Sequence, residues 1–197
     1  MAVELPNRPA SRRMGVRMID YGGTLTPGLG GPTQRINRNG NRFAISVQLP
    51  PMIADDARAW LAALNAGVEE GVIWRFRQVD LFPGSPGSVV VNGNGQAGKT
   101  LAVRGCNPNY PFRRGQFFNL VEGGRRYLHQ VFTPIGASSG GTALLPIRPA
   151  LRVEPSDGSA LIVGQPVIEG LLEGNGFSYE VDEQDMTNIG FTIVESR

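Results

Sequence analysis

Residues 115–132 read GQFFNLVEGGRRYLHQVF, two strand-like runs separated by Gly123 and Gly124. A two-residue glycine connection suits a type I′ or II′ turn, because these turns need positive φ angles that glycine adopts without strain. The runs 115–122 and 125–132 are therefore predicted to pair as an antiparallel hairpin. This hairpin indicates a β-rich fold.

Short strand-like runs continue on both sides of the hairpin. The stretch 98–163 contains five of them, at 99–104, 115–122, 125–132, 142–147 and 151–153 continuing to 159–163. Five short strands in a segment of this size are typical of a small OB-like barrel. We therefore expect residues 98–163 to form such a barrel.

The remainder of the chain predicts more strands and a single helix. Strands are expected at 14–20, 42–49, 72–79, 89–91, 177–181 and 191–194. The helix follows Pro50-Pro51, is capped by Asp55 or Asp56 and ends at Gly67. Its predicted apolar face contains Ala57, Trp60, Leu61 and Leu64. Residues 21–41, rich in glycine, proline and asparagine, are expected to be a long loop or an extended arm.

The composition disfavours catalysis. The chain of 197 residues has one cysteine, one histidine and one lysine, namely Cys106, His129 and Lys99. These leave little for acid–base or covalent chemistry, so we expect no enzyme, no cofactor and no metal site. The sequence shows neither an 18-residue apolar run nor the apolar region of a secretory signal, so no membrane contact is expected.

The stretch GNGQAGKT at 93–100 matches the phosphate-loop pattern G-x-x-x-x-G-K-[ST]. That motif functions only when a helix begins at its Lys-Thr pair, because the helix N-terminus supplies the phosphate donors. Here Leu101 and Val103 alternate with smaller or polar neighbours, and Gly105 and Pro108 would break a helix. We therefore expect a glycine-rich turn without a nucleotide.

Charge is distributed unevenly along the chain. Residues 1–49 carry seven arginines against two acidic residues, whereas residues 154–197 carry nine acidic residues against one arginine. The asymmetry fits a basic face for nucleic acid, complementary faces on neighbouring copies in a head-to-tail ring, or ordinary solvated surface. If a ring forms, Arg35, Arg38 and Arg42 in and beside the 21–41 loop are the candidate interface with the next subunit or with a tube.

Three segments carry a resemblance to a known family. GQFFNLVEGGRRYLHQVF, then GGTALLPIRPALRVEPSDGSALIV and a final GFTIVES resemble the distal tail proteins of long-tailed bacteriophages and related gene-transfer particles. The motifs include G-x-x-x-L-P-I-x-P-x-L-R and F-x-x-V-E, and they are packing motifs without a catalytic residue. The resemblance covers residues 98–197 well and the first 97 mainly in layout.

The resemblance implies a fold and a role. The fold would be mainly β, with a split β-sandwich domain (1–97 plus 164–197) that holds one helix and an inserted OB-like barrel (98–163). Six copies would form a structural ring at the distal end of the tail tube, joining the tube protein to the baseplate hub protein, with tail fibre proteins as further partners. The protein would lie at the virion tail tip after assembly in the host cytoplasm, without nucleic acid contact.

Two alternatives remain open from the residues. One is another tail-tip component, such as a tube terminator or a hub rim. The other is an oligonucleotide-binding OB module, because arginines alternate with aromatic residues that could stack on bases. The residues concerned are Arg104, Arg113, Arg114, Arg125, Arg126, Tyr110, Phe112, Phe117, Phe118 and Tyr127.

Overall fold

The computed structural model describes residues 2–196 and contains one α-helix and two main β-sheets. The helix α1 spans Ala54–Glu70. The strands in chain order are β1 (Val3–Glu4), β2 (Arg13–Ile19), β3 (Gly23–Leu25), β4 (Gln34–Ile36), β5 (Arg42–Gln48), β6 (Val72–Arg75), β7 (Gly87–Val91), β8 (Thr100–Cys106), β9 (Pro111–Phe112), β10 (Phe117–Glu122), β11 (Arg125–Val131), β12 (Ile135–Gly136), β13 (Ala143–Arg148), β14 (Leu161–Ile162), β15 (Val167–Leu172), β16 (Ser178–Val181) and β17 (Thr187–Glu195).

The first sheet has the order β1-β6-β15-β17-β5-β2, and β16 pairs with β17 beside β15. Alternation along β5 and β17 places Phe43, Ile45 and Val47 with Phe191 and Ile193 on one buried face. The helix α1 covers this face, and the Trp60 ring lies 6.0 Å from that of Phe191. The sheet and the helix therefore enclose the first hydrophobic core.

The helix differs at both ends from the sequence expectation. It begins at Ala54 after Ile53, whose side chain makes no cap, and the predicted caps Asp55 and Asp56 lie in the first turn. Gly67 does not end the helix but lies inside it, since Gly71, with φ 82°, ends it instead. A Cβ on Gly67 would lie 2.2 Å from Val72, so glycine serves close packing there.

The second sheet has the order β14-β10-β11-β13-β8-β7. A bridge between Val90 and Ala160 brings its two ends together, so the sheet is nearly a closed barrel around a second core. The predicted hairpin is β10–β11, and Gly123 and Gly124 both have positive φ angles, 56° and 77°. The expectation of a mainly β fold with a sandwich-like sheet and a small barrel is confirmed.

Several strand assignments differ from the structure. Residues 89–91 form the expected strand, but they were placed in the 1–97 part of the sandwich domain. They pair instead with β8 in the second sheet, where Val89 and Val91 are buried in the core. Residues 151–153 form no strand, although Leu151 is buried. The strand β15 was not predicted, because its run VIEGLL does not alternate.

Candidate assembly interface and the contact between the two sheets

The segment between β2 and β5 is an arm that stands away from both cores. The strands β3 and β4 pair within it, and every residue from 23 to 40 is exposed. Leu25, Ile36 and the fully exposed Leu29 are apolar residues on this arm. An isolated two-stranded ribbon is marginally stable in water, so the arm lacks the packing that a partner would supply.

The three predicted interface arginines have different surroundings. Arg35 lies in β4 and forms an ion pair with Asp20. Arg38 is exposed and has no hydrogen-bond or ion-pair partner within residues 2–196. Arg42 lies at the base of the arm, half-buried, with its guanidinium 4.6 Å from the centre of the Tyr21 ring. Arg42 therefore makes an internal contact, and of the three arginines Arg38 is the one whose side chain is free to contact another chain.

A buried ion pair joins the two sheets. Glu195, near the end of β17, accepts hydrogen bonds from the backbone N–H groups of Leu128 (2.7 Å) and Phe43 (3.2 Å) and pairs with the Arg152 guanidinium. Both charged side chains are almost completely buried. Burial raises the pKa of the Glu195 carboxyl, while Arg152 and the two N–H donors act in the opposite direction. We call Glu195 and Arg152 the inter-sheet ion pair.

Further contacts fix the second sheet on the first. The buried amide of Asn119 in β10 donates to the Val167 carbonyl at 2.8 Å and accepts from the Val167 N–H at 2.7 Å. Phe117 packs edge-on against Phe43 at 5.2 Å between ring centres. The junction is therefore held by direct hydrogen bonds and ring contacts between the two sheets.

The two candidate reactive side chains are buried. Burial lowers the pKa of His129 to about 4, and the nearby charge of Arg152 acts in the same direction. Since a carbonyl can only accept, the neutral imidazole donates from Nδ1 to the Pro149 carbonyl at 3.1 Å. Burial also raises the pKa of the Cys106 thiol, which lowers the reactive thiolate fraction. Both residues act as parts of the second core.

The phosphate-loop pattern at 93–100 forms a closed turn followed by β8, where a phosphate-binding loop would continue as a helix. The Gln96 side chain fills the turn, accepting from the Ala102 N–H at 2.7 Å and donating to the Asn92 and Gly93 carbonyls at 3.0 Å. The Gly93 N–H donates to Asp157 at 2.6 Å. The Gly93 N–H is therefore already used, and the strand that follows takes the place of the helix N-terminus that a phosphate would need.

The aromatic residues of the second sheet do not form a stacking platform. Four of the five rings that suggested base stacking are buried, and the fifth, Phe117, packs between the two cores; the buried ones are Tyr110, Phe112, Phe118 and Tyr127. The exposed ring on this unit is that of Phe132, on which Arg148 lies at 4.5 Å. This arrangement disfavours a row of stacked bases.

The first sheet has three outer strands, β1, β2 and β16, and the last two carry opposite charges nearby. The strand β2 pairs with β5 on one side and is open on the other, and Arg12 and Arg13 at its start have no ion-pair partner within residues 2–196. The strand β16 pairs only with β17 and is exposed throughout. Its exposed Glu180 and the following Glu183 make no ion pair in the described part of the chain. Open edges of this kind present unpaired backbone groups to another chain.

Among residues 2–196, no group of three or more histidine, cysteine, aspartate or glutamate residues is placed to hold a metal ion. The helix α1 is too short and too polar to cross a membrane. Scans against protein-family models and a search of curated proteins gave no match to the chain.

Sequence reasoning missed the inter-sheet ion pair and the open edges. Arg152 ends the motif G-x-x-x-L-P-I-x-P-x-L-R, and Glu195 ends the motif F-x-x-V-E. A charged residue directly after each apolar run was therefore visible in the sequence. Nothing in the spacing indicated that the two charges meet. The openness of β2 and β16 depends on strand order, which local periodicity does not specify.

Proposed function

We propose that this protein is a structural subunit that assembles head to tail with copies of itself into a closed ring. The observation that carries the proposal is the pair of open edges, β2 and β16, with basic residues beside one and acidic residues beside the other. A head-to-tail contact joins two different surfaces, so opposite charges meet at every interface of the ring.

Strand direction supports this assembly. The strands β2, β5, β17 and β16 are neighbours, and each runs antiparallel to the next. Because there are four, β16 runs opposite to β2, and β2 of a second copy placed beside β16 would continue the antiparallel order. The strand β16 lies beside residues 187–190 of β17, whereas β2 begins level with Gly190 and continues past the later residues of β17. The second copy must therefore be shifted along the strand direction to bring its β2 beside β16. Closed sheets with tilted strands require such a stagger.

The sequence resemblance supplies the biological setting of the proposal. In that setting the ring holds six copies at the distal end of a bacteriophage tail tube and joins the tube protein to the baseplate hub, with fibre proteins attached. The exposed arm at 23–40 would contact the neighbouring copy or the tube. A tube terminator or hub rim remains the alternative within the same class.

Two charge-reversal variants test the ring. Arg12→Glu with Arg13→Glu makes both edges acidic, and Glu180→Lys with Glu183→Lys makes both basic, so neither variant should assemble alone. An equimolar mixture should form rings of alternating subunits, because each edge then meets its opposite. Mass photometry and negative-stain images of wild type, each variant and the mixture provide the readout.

Assembly of either variant alone at the wild-type level would exclude these edges as the interface. The tail setting needs a separate observation. Antibodies against the protein should label the distal end of the tail on particles released by the host, and labelling of the head or of no particle would contradict it.

A further inference from the structure

An apolar groove lies beside the open edge of β2. Met14 and Val16 of β2, Val79, Leu81, and Phe117 of the second sheet line a cavity of about 250 Å³. Val16 and Val79 are well exposed, at 39% and 67%. Arg77 and Arg114 flank the groove, and neither has an ion-pair partner within residues 2–196.

The β2 side chains that line the groove belong to one face of the first sheet. Met14 and Val16 lie opposite Val47 and Ile45 of β5, which point into the first core. Opposite residues in an antiparallel pair share a face. The apolar side chains of β2 therefore point to the side on which the second sheet sits, and Arg13 and Arg17 point to the other side.

The strand β16 has the same division of faces. Tyr179 lies opposite the buried Ile189, and Val181 lies opposite the buried Thr187, so both share the core side of the sheet. Each is more than half exposed, although the Phe177 ring stacks on Tyr179 at 6.5 Å between ring centres. Glu180 points to the opposite side, and the turn that follows Val181 carries further acidic residues, Asp182, Glu183 and Asp185.

We infer that the groove receives Tyr179 and Val181 of the neighbouring copy, an inference that rests on the proposed ring. With β16 of one copy beside β2 of the next, the two apolar faces coincide. Glu180 then lies on the same side as Arg13 and Arg17 of its neighbour. The acidic turn after Val181 complements the unpaired Arg77 and Arg114 at the rim of the groove.

This contact gives the second sheet a part in assembly. Phe117 and Arg114 come from the second unit, so the neighbouring strand would touch both units at once. The inter-sheet ion pair and the Asn119 contact hold these two units in one orientation. The groove is then a composite binding site for a second copy, with walls from both sheets.

Cysteine cross-linking tests which faces meet. In a Cys106→Ala background, Val16→Cys is combined with Tyr179→Cys in one protein and with Val181→Cys in another. Opposite residues on neighbouring strands approach closely enough for a disulfide. At least one of the two proteins should give a ladder of covalent oligomers after mild oxidation, which a reducing agent removes. The matched control joins Val16→Cys with Glu180→Cys, on opposite faces of the same strands, and should give no ladder.

The outcomes separate this inference from the proposed function. Rings in images together with a ladder for a same-face pair and none for the control support the groove. If rings form but neither same-face pair gives a ladder, or the control gives an equal ladder, the inferred groove contact is wrong and the proposed ring is retained. Absence of rings at all concentrations overturns both.

Discussion

The two sheets are built from similar strand-forming sequence, but the outer strands of the second are brought together and those of the first are left unpaired on their outer side. The second sheet brings β7 and β14 together through the Val90–Ala160 bridge and leaves almost no open edge. The first sheet leaves β1, β2 and β16 paired on one side only, and an exposed arm follows β2. A closed barrel is self-sufficient, whereas an open edge is a site for another chain. In the ring that we propose, the first sheet would therefore form the contacts between copies and the second would support it.

The first sheet depends on its helix, because it cannot close on itself. Trp60 is almost fully buried, contacts Phe191 and donates from its indole nitrogen to the Arg8 carbonyl at 2.9 Å. Trp60→Ala should lower the free energy of unfolding by about 3–5 kcal/mol, as core aromatic truncations do. A urea melt followed by circular dichroism measures this. A loss below about 1 kcal/mol would show that the helix is not essential to this core.

The junction between the sheets should be almost as sensitive. Arg152→Met leaves Glu195 buried without its cation, which costs about 3 kcal/mol or more in comparable buried pairs. The control is Arg126→Met, which breaks a more exposed pair with Glu169 at 3.0 Å and should cost about 1 kcal/mol or less. Addition of Glu195→Gln to Arg152→Met should recover part of the loss. Equal melts for the Arg152 and Arg126 variants would contradict the role of the inter-sheet ion pair.

Acid should destabilise the second sheet through His129. Its folded pKa of about 4 lies below the ordinary value of 6.5, so the unfolded chain binds the proton first as pH falls. The His129 contribution is therefore complete above pH 6.5 and declines toward pH 4, by about 3 kcal/mol in all. Unfolding free energies at pH 7, 6, 5 and 4.5 should show this slope, and His129→Gln should flatten it. An unchanged slope in the variant would assign the acid sensitivity to other groups.

The arm should influence assembly while hardly changing stability. Arg35→Glu with Arg38→Glu alters exposed side chains, so the unfolding free energy should move by about 0.5 kcal/mol or less. If the arm contacts the next copy or the tube, the same change should reduce ring yield in mass photometry. Arg42 is left intact because it is packed on Tyr21. Normal yield of rings and of infectious particles would place the arm outside any interface.

The smallest effect is expected at the phosphate-loop pattern. Lys99→Ala should change neither stability nor assembly, because β8 follows the turn in place of the helix that a phosphate loop requires. Calorimetric titration with ATP or GTP and Mg²⁺ should give no heat for either protein. Micromolar binding that Lys99→Ala abolishes would reverse this interpretation.

Features that depend on residues close along the chain could be predicted from the sequence, and the others could not. The β10–β11 hairpin was predictable because two glycines dictate the turn and the flanking runs have no other close partner. The helix was predictable in existence but not in length, since the role of Gly67 depends on Val72 packing against it. The strand β7 was assigned to the wrong sheet, because a run of valines fits any core.

The sequence by itself determined the β-rich class, the hairpin, the exposed arm region and the strand that follows the phosphate-loop pattern. Each of these follows from residues that are close along the chain. Only the tertiary structure decided which edges stay open and that Glu195 meets Arg152, 43 residues away, in a buried ion pair. Strand order and charge pairing depend on contacts between distant segments, and local propensity carries no information about which distant segment a strand or a charge will meet.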